Sequence, residues 1–452
     1  MATQTPTTTR SVNPPDSVGS GIRVRIAVGF TLIAVVASLV GLVASGGSYE
    51  PAPNGLPDSG PFVGWLLPVL GAIGFGAAMA CIGWLLLAGF LDPSAGKKVV
   101  SKRGRAAMLR ASGAAAIWCV ISLIASVFTL ANILGVDLAT AAAPGTFTTY
   151  AWDVSDVRTL LISAVLAAAV AIGAVLSVSL TGTTIWLALA LVAVAAPSTA
   201  GHAVGLGDHG LALVNSVAHA VAATLWVGGL IALGATVWPK AQTVGVAAQR
   251  FGYLAIASVV ILTASGVVNA YVRLGAPADL FTSGYGRLVV AKTLLLIALI
   301  ATAAWIRRRL LPNLDGEQPR RTFAKVAALE LTLMSIATGL GVALSLTAPT
   351  RVAVQFATQA EALLGFEFPA APTVMSVVFG WDLDVLFFVM GIAACVYYTI
   401  GVMRLRSRGD AWPVSRTICW FIGWSIVIWA TNAGIATYSE VSVGIHMIQH
   451  MT

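Results

Sequence analysis

Residues 160–200 read LLISAVLAAAVAIGAVLSVSLTGTTIWLALALVAVAAPSTA, and whether they form one helix or two decides the topology of everything after them. Forty-one residues of continuous helix would run about 62 Å, twice the hydrocarbon thickness of a bilayer. Two crossings fit, although tightly. Composition makes bilayer crossing the right frame: the chain is 58% hydrophobic and 10% charged, against about a quarter charged in soluble domains. Its 45 glycines suit close helix packing in lipid, where small residues let backbones approach.

Working outward, apolar runs long enough to cross recur at Ile26–Ala44, Phe62–Phe90, Ala106–Leu134, Leu160–Leu180, Thr184–Ala200, Leu211–Val237, Phe251–Val272, Leu288–Ile306, Val326–Leu346, Val385–Met403 and Ile418–Thr437. A twelfth starts near Val441 and stops at Thr452; its twelve residues make about 18 Å of helix, too short to span. The predicted fold is all-α: a polytopic helical membrane protein with about 11 full transmembrane helices and a partial twelfth.

Charge sets the orientation and settles the opening question. Lysine and arginine gather in cytoplasmic loops. If 160–200 is a hairpin turning at Leu180-Thr181-Gly182-Thr183, 21 of the 26 basic residues fall on one side. They include Arg23 and Arg25, the Lys97–Arg110 cluster, Arg307–Arg309 and Arg404–Arg408. A single helix would put the later arginine-rich loops outside. The hairpin is therefore predicted, with the N-terminus cytoplasmic and Asp208, Asp279, Asp382 and Glu440 among the outer acids. The net charge of +8 reflects this asymmetry, so no nucleic-acid partner is expected.

Met1–Gly21, rich in threonine, proline and serine, is expected to be a disordered cytoplasmic tail. The run after Arg25 is longer than a signal-peptide core, which favours an uncleaved anchor. Cys81, Cys119, Cys395 and Cys419 stand singly in separate helices, which supports neither a zinc motif nor a disulfide framework.

All five histidines fall at or near the outer side, in two clusters. His202, His209 and His219 lie within 201–230, and Asn215, His219 and Trp226 keep a helical spacing that Asp208 extends. A histidine within a membrane helix faces a partner, a cavity or a pathway, and imidazole suits copper among other metals. For His219 a neutral core histidine bonded to Asn215 or to a neighbouring helix stays open beside a metal ligand, and His202 and His209 read equally as loop residues. His209 and His219 are ten residues apart, about 15 Å on a continuous helix. Unless that helix starts after Gly210 they serve successive sites. His446 and His450 meet on one helical face at i, i+4, with Met447 and Met451 on the adjoining face. Thioether sulfur favours Cu(I), and two interfacial histidines with packing methionines remain the alternative.

The segment STAGHA (198–203), HAVAATLWVGGL (219–230), Arg250-Phe251, TASGVVNAYV (263–272), DLFTSGYGRLVVAK (279–292) and Glu330–Pro349 resembles the copper resistance protein D (CopD) family. The similarity covers about Trp152–Pro349. From Trp381, WDLDVLFFVMGIAACVYYTIGVMRLRSRGDAWPVSRTICWFIGW and then HMIQHM (446–451) resemble the cytochrome c oxidase assembly factor CtaG family. The pairing is similar to fused proteins of actinobacteria. The first resemblance implies copper movement across a bacterial inner membrane and carries over His202 and His219. The second implies copper-dependent oxidase maturation and carries over His446 and His450. CtaG-like proteins continue for several helices beyond HMxxH, so the expectation at Thr452 is either a truncated second domain or a last helix completed from elsewhere.

The expected organisation is then a tail 1–21, a CopD-like unit of about nine helices 22–350, an outer linker 351–380 and a CtaG-like unit 381–452. The expected role is copper handling without enzymatic chemistry, in a multi-pass protein of the bacterial plasma membrane. The metal candidates are His202, Asp208, His209, His219, His446, Met447, His450 and Met451. Expected partners are the copper ion, lipid, oxidase subunits and an outer-side copper chaperone. Lys292 and Glu330, in adjacent helices, invite a structural ion pair or an ion relay. Arg158 and Arg273 read as interface anchors or partners for Asp153, Asp156 and Asp279. Two competing functions stay open: a haem-binding electron-transfer protein, since haem also takes axial histidines, and an assembly scaffold whose histidines are incidental.

Overall fold

The computed structural model describes residues 17–47, 49–52, 56–92, 98–200, 209–237, 244–305, 308, 317–351, 358–359, 361 and 367–452. These residues are helical, with two isolated β-bridges. The first unit comprises α1 (Ser17–Ser45), α2 (Pro61–Leu86), α3 (Lys102–Leu134), the short α4 (Leu138–Ala142) and α5 (Pro144–Tyr150), α6 (Ser155–Leu176), α7 (Leu180–Ala195), α8 (His209–Val237), α9 (Val244–Arg273), the short α10 (Asp279–Thr282), α11 (Gly284–Trp305) and α12 (Glu317–Leu346). The terminal unit comprises α13 (Val374–Phe379), α14 (Val385–Ser407), α15 (Val414–Asn432), α16 (Gly434–Ser439) and α17 (Val443–Met451).

Among the described residues ten helices are long and apolar enough to cross a bilayer. They account for ten of the eleven predicted runs, and the 23-residue α14 occupies the other. The protein is an all-α, multi-pass membrane protein. Helix α1 starts at Ser17, inside the stretch expected to be unstructured. Extending an existing helix costs far less than nucleating one, so the helix outruns its apolar core. The remainder of that expected tail, 1–16, lies outside the described residues.

The 160–200 stretch is a hairpin, but it turns earlier than predicted, at 177–179 rather than 180–183. Ser179 is the reason: its side chain accepts from the Gly182 amide at 3.0 Å and caps α7. Threonines 181, 183 and 184 thereby fall inside the helix. The turn is sewn to the segment before α3, through Val100 N to Val178 O at 3.0 Å and Leu180 N to Lys98 O at 3.2 Å. It therefore sits on the lysine-rich inner loop, the side that the charge asymmetry demands. Arg105 closes the same end, donating to the carbonyls of Ala174, Val175 and Ser177 at the C-terminus of α6.

Packing follows membrane logic, by close approach of small residues. Ala107, Ala111 and Ala115 of α3 and Ala167 and Ala174 of α6 are completely covered in the core. Helices α2 and α8 touch backbone to backbone. A Cβ on Gly83 would lie 2.2 Å from the Gly228 carbonyl oxygen. Gly173 leaves the room in which the Trp186 ring lies against α6. That indole donates to Ser177 Oγ at 2.7 Å.

The terminal unit is an α14–α15 hairpin closed at its outer end. Trp381 bridges to Ala433, Gly434 N donates to Gly380 O at 2.8 Å, and Trp429 Nε1 donates to Val378 O at 2.9 Å. The nine-residue α17 is held beside it by Gln449 Nε2, which donates to Ala430 O at 2.7 Å.

Candidate functional site

The first histidine cluster divides. His202 and Asp208 lie outside the described residues. His209 opens α8 itself, so His209 and His219 share one continuous helix. Their backbones are about 15 Å apart along it, too far for joint ligation of one ion.

His219 sits about a third of the way along α8 against α9. Its Nδ1 lies 2.8 Å from Ser265 Oγ, and Asn215 Nδ2, one turn earlier, donates to the Ser265 carbonyl at 2.8 Å. Asn215 thus secures the neighbouring backbone, and His219 bonds to the neighbouring helix, one of the two partners that the sequence reading allowed. The Ser265 hydroxyl also has Leu262 O within reach, 3.2 Å away. The hydroxyl can therefore accept from Nδ1 or donate to it, and in either tautomer the contact fixes the ring while Nε2 is not engaged by Ser265. A hydrogen bond fixing one nitrogen is how proteins orient a ligating imidazole. Asn215 and Ser265 are buried, at 8% and 4% exposure, so the arrangement is anchored within the helix pair.

Lys292 and Arg273 approach the same place. Both lie close enough to His219 to act on it electrostatically, and Arg273 acts on Lys292. Arg273 was expected to anchor the interface or pair with an acid; it faces the Tyr285 hydroxyl instead, with Nη1 3.5 Å away. Asp279 is taken by Thr350 Oγ1 at 2.9 Å and the Ala276 amide at 2.9 Å, and these bonds hold its carboxyl below the ordinary range. Arg158 likewise caps a carbonyl, Trp152 O at 3.0 Å, rather than pairing with Asp153 or Asp156.

Lys292 and Glu330 are not brought together. The Lys292 ammonium nitrogen reaches Gly341, 3.3 Å from where a Cβ on that glycine would stand. Glu330 is eleven residues inward on the same helix, about 16 Å by helical rise. Extended side chains do not close that gap, so the simple pair suggested by adjacency is not formed. Glu330 is buried at 6% exposure.

The second cluster is assembled. His446 and His450 face each other edge to face with ring centroids 4.5 Å apart. That is close enough for one nitrogen of each to reach a single ion at the usual ~2 Å metal–nitrogen distance. Both histidines, Met447 and Met451 are exposed on α17. Among the described residues no three His, Cys, Asp or Glu side chains converge in a metal-binding group. The pair thus offers two nitrogen ligands, with thioether sulfur on the adjoining face. Near the same outer end, Glu440 is held above the ordinary carboxylate range by partial loss of water and by the neighbouring Asp382. The four cysteines are free, and Cys81 is buried in the main core.

Sequence reasoning missed Ser265, which lies in the apolar run TASGVVNAYV. The available signal was depth. Ser265 is eight residues from the end of α9, about 12 Å into the bilayer, where a hydroxyl seeks a partner.

Comparison with known proteins finds two separate matched segments. Residues 245–344 match the family model for copper resistance protein D. Residues 396–452 match that for the cytochrome c oxidase caa3 assembly factor. Uncharacterized proteins of Mycobacterium bovis and Mycobacterium tuberculosis are each 26% identical over 454 residues, covering 99% of this chain and 65% of their own length. An uncharacterized protein of Mycobacterium leprae is 31% identical over 106 residues, 24% of this chain and 16% of that protein. The chain thus spans about two thirds of the length of the two fuller matches, 65% in each case. No solved structure matches. The polypeptide is a multi-pass membrane protein in which one segment is similar to copper resistance protein D and another, nearer the end of the sequence, to the caa3 oxidase assembly factor.

Proposed function

We propose that this protein binds copper at its outer face, moves it across or along the membrane, and supports copper supply to cytochrome c oxidase assembly. The observation that carries the reading is the exposed His446–His450 pair, two imidazoles 4.5 Å apart on the outer helix α17. An exposed two-nitrogen site with soft sulfur beside it suits an ion that must be passed on, because a closed four-ligand cage would retain it. It also leaves coordination positions for a donor or acceptor protein, such as an outer-side copper chaperone or an oxidase subunit. His219, anchored through Nδ1, serves as a second, intramembrane station. No bond-making chemistry on an organic substrate is assigned to the protein.

Titration of the purified protein with Cu(I) against a competing chromophoric chelator tests the terminal pair. The proposal expects His446→Ala/His450→Ala to remove one binding equivalent while His219→Ala leaves that equivalent in place. Unchanged titration of the double variant would refute the assignment. A Soret band in the purified protein would instead support the haem reading. Intact oxidase maturation in both histidine variants would support a scaffold.

A further inference from the structure

We propose that Arg404 and Arg408, one turn apart at the inner end of α14, hold the phosphate of an anionic phospholipid of the inner leaflet. Residues four apart lie on one face of a helix, and Arg408, the C-cap, keeps right-handed helical angles, φ −89° and ψ −4°. Both arginines are exposed. The same face continues outward through Ile400 and Tyr397, 42% and 81% exposed, an apolar track for an acyl chain. From its start at Val385, α14 runs about 29 Å to Arg404 and about 35 Å to Arg408. A hydrocarbon core is about 30 Å thick, so the pair stands at phosphate level. Trp412, in the turn to α15, marks that level too. Its Nε1 donates to the Tyr398 hydroxyl at 2.8 Å, and the Arg416 guanidinium lies over its ring, 5.3 Å from the centroid. Tryptophan and tyrosine settle at the headgroup boundary.

Basic residues at a helix C-terminus commonly serve its last carbonyls. Here those carbonyls have other donors. Leu405 O accepts from the Arg408 and Asp410 amides at 3.0 and 3.1 Å, Arg406 O from the Gly409 amide at 3.0 Å, and Arg404 O from Ser407 Oγ at 2.8 Å. Asp410 is the one acid between Arg404 and Arg416. Among the described residues neither Arg404 nor Arg408 forms an ion pair or a side-chain hydrogen bond, with Asp410 or with any other group. Inner-side arginines of the first unit differ. Arg105 donates to the carbonyls of Ala174, Val175 and Ser177, and Arg250 to those of Phe90 and Asp92 at 2.8 and 2.9 Å. Two like charges one turn apart repel. A phosphate between them turns that repulsion into attraction and fits the planar fork of each guanidinium. The cytoplasmic leaflet supplies such phosphates at high density. The paired positive charge selects an anionic headgroup over a zwitterionic one, and the apolar track selects a lipid over a free phosphate. The site is independent of copper.

The test uses the full chain purified in detergent, with native mass spectrometry counting the lipids retained as phosphatidylglycerol or phosphatidylcholine is titrated in. Wild type should hold phosphatidylglycerol about tenfold or more tightly than phosphatidylcholine, the effect of one charge-assisted hydrogen bond. Arg404→Gln/Arg408→Gln should lose that preference. Lys98→Gln/Lys102→Gln, which removes the same charge from another inner loop, should keep it. All four side chains are exposed, so thermal unfolding without added lipid should be the same in both variants and in wild type. Inorganic phosphate at millimolar concentration should not displace the lipid. An unchanged preference in the arginine variant would overturn the proposal. An equal loss in the lysine variant would overturn it as well, because inner-side charge in general would then be responsible. So would displacement by inorganic phosphate, which would mark a free-anion site.

Discussion

Removing the hydroxyl at Ser265 isolates the interaction that orients His219. In Ser265→Ala the His219 ring loses its hydrogen-bond partner at 2.8 Å from Nδ1, while the Asn215 bond to the Ser265 backbone carbonyl survives. The structure thus separates the ring contact from the helix clamp. Side-chain hydrogen bonds between membrane helices contribute about 0.6 kcal/mol on average and up to about 1.7. This one belongs near the upper figure because its serine is buried, at 4% exposure. A double-mutant cycle of Ser265→Ala and His219→Ala, read from reversible unfolding in mixed detergent micelles, should give a coupling of about 1 to 1.7 kcal/mol. Asn215→Ala should couple to His219→Ala more weakly, since its bond goes to backbone. A His219–Ser265 coupling within about 0.3 kcal/mol of zero would refute the claim that Ser265 holds the ring.

Other outcomes follow from the same geometry. Gly228→Val inserts a side chain whose Cβ would stand 2.5 Å from the Met79 carbonyl oxygen; it should cost about 1–3 kcal/mol or more, seen as a lowered Tm, whereas Gly234→Val, with open space around its Cβ, should cost far less. Lys292→Met and Glu330→Gln should be additive within about 0.5 kcal/mol, as expected of sites this far apart; a larger coupling in the double variant would show that the two charges communicate. Glu440 binds its proton more tightly in the folded protein than at the ordinary value of 4.5. Its contribution to stability is therefore full below that value and is lost as pH rises through the raised one. Glu440→Gln should flatten the unfolding–pH curve there, and an identical curve in the variant would contradict this.

How much was legible in the sequence follows from which signals are collinear with it. Helix number and the 160–200 hairpin were readable because bilayer thickness and loop charge act on contiguous residues. The turn was misplaced because a three-residue link needs only a cap, and Ser179 supplies one in place of the expected Leu180-Thr181-Gly182-Thr183 break. The His446–His450 pair was legible because i, i+4 neighbours meet on any helix. The surroundings of His219 were not. Ser265, Lys292 and Arg273 come from two other helices, and their meeting depends on relative depth and rotation, which the spacing within one helix does not encode. The same holds for Glu330, whose adjacency to Lys292 in helix order concealed an axial offset of about 16 Å.

The most direct test of the account is the copper content of protein purified under reducing conditions, measured for wild type, His219→Ala and His446→Ala/His450→Ala. The account predicts stoichiometric copper in wild type and a separate loss in each variant, as two independent stations require. Wild-type protein carrying no copper above background would contradict it.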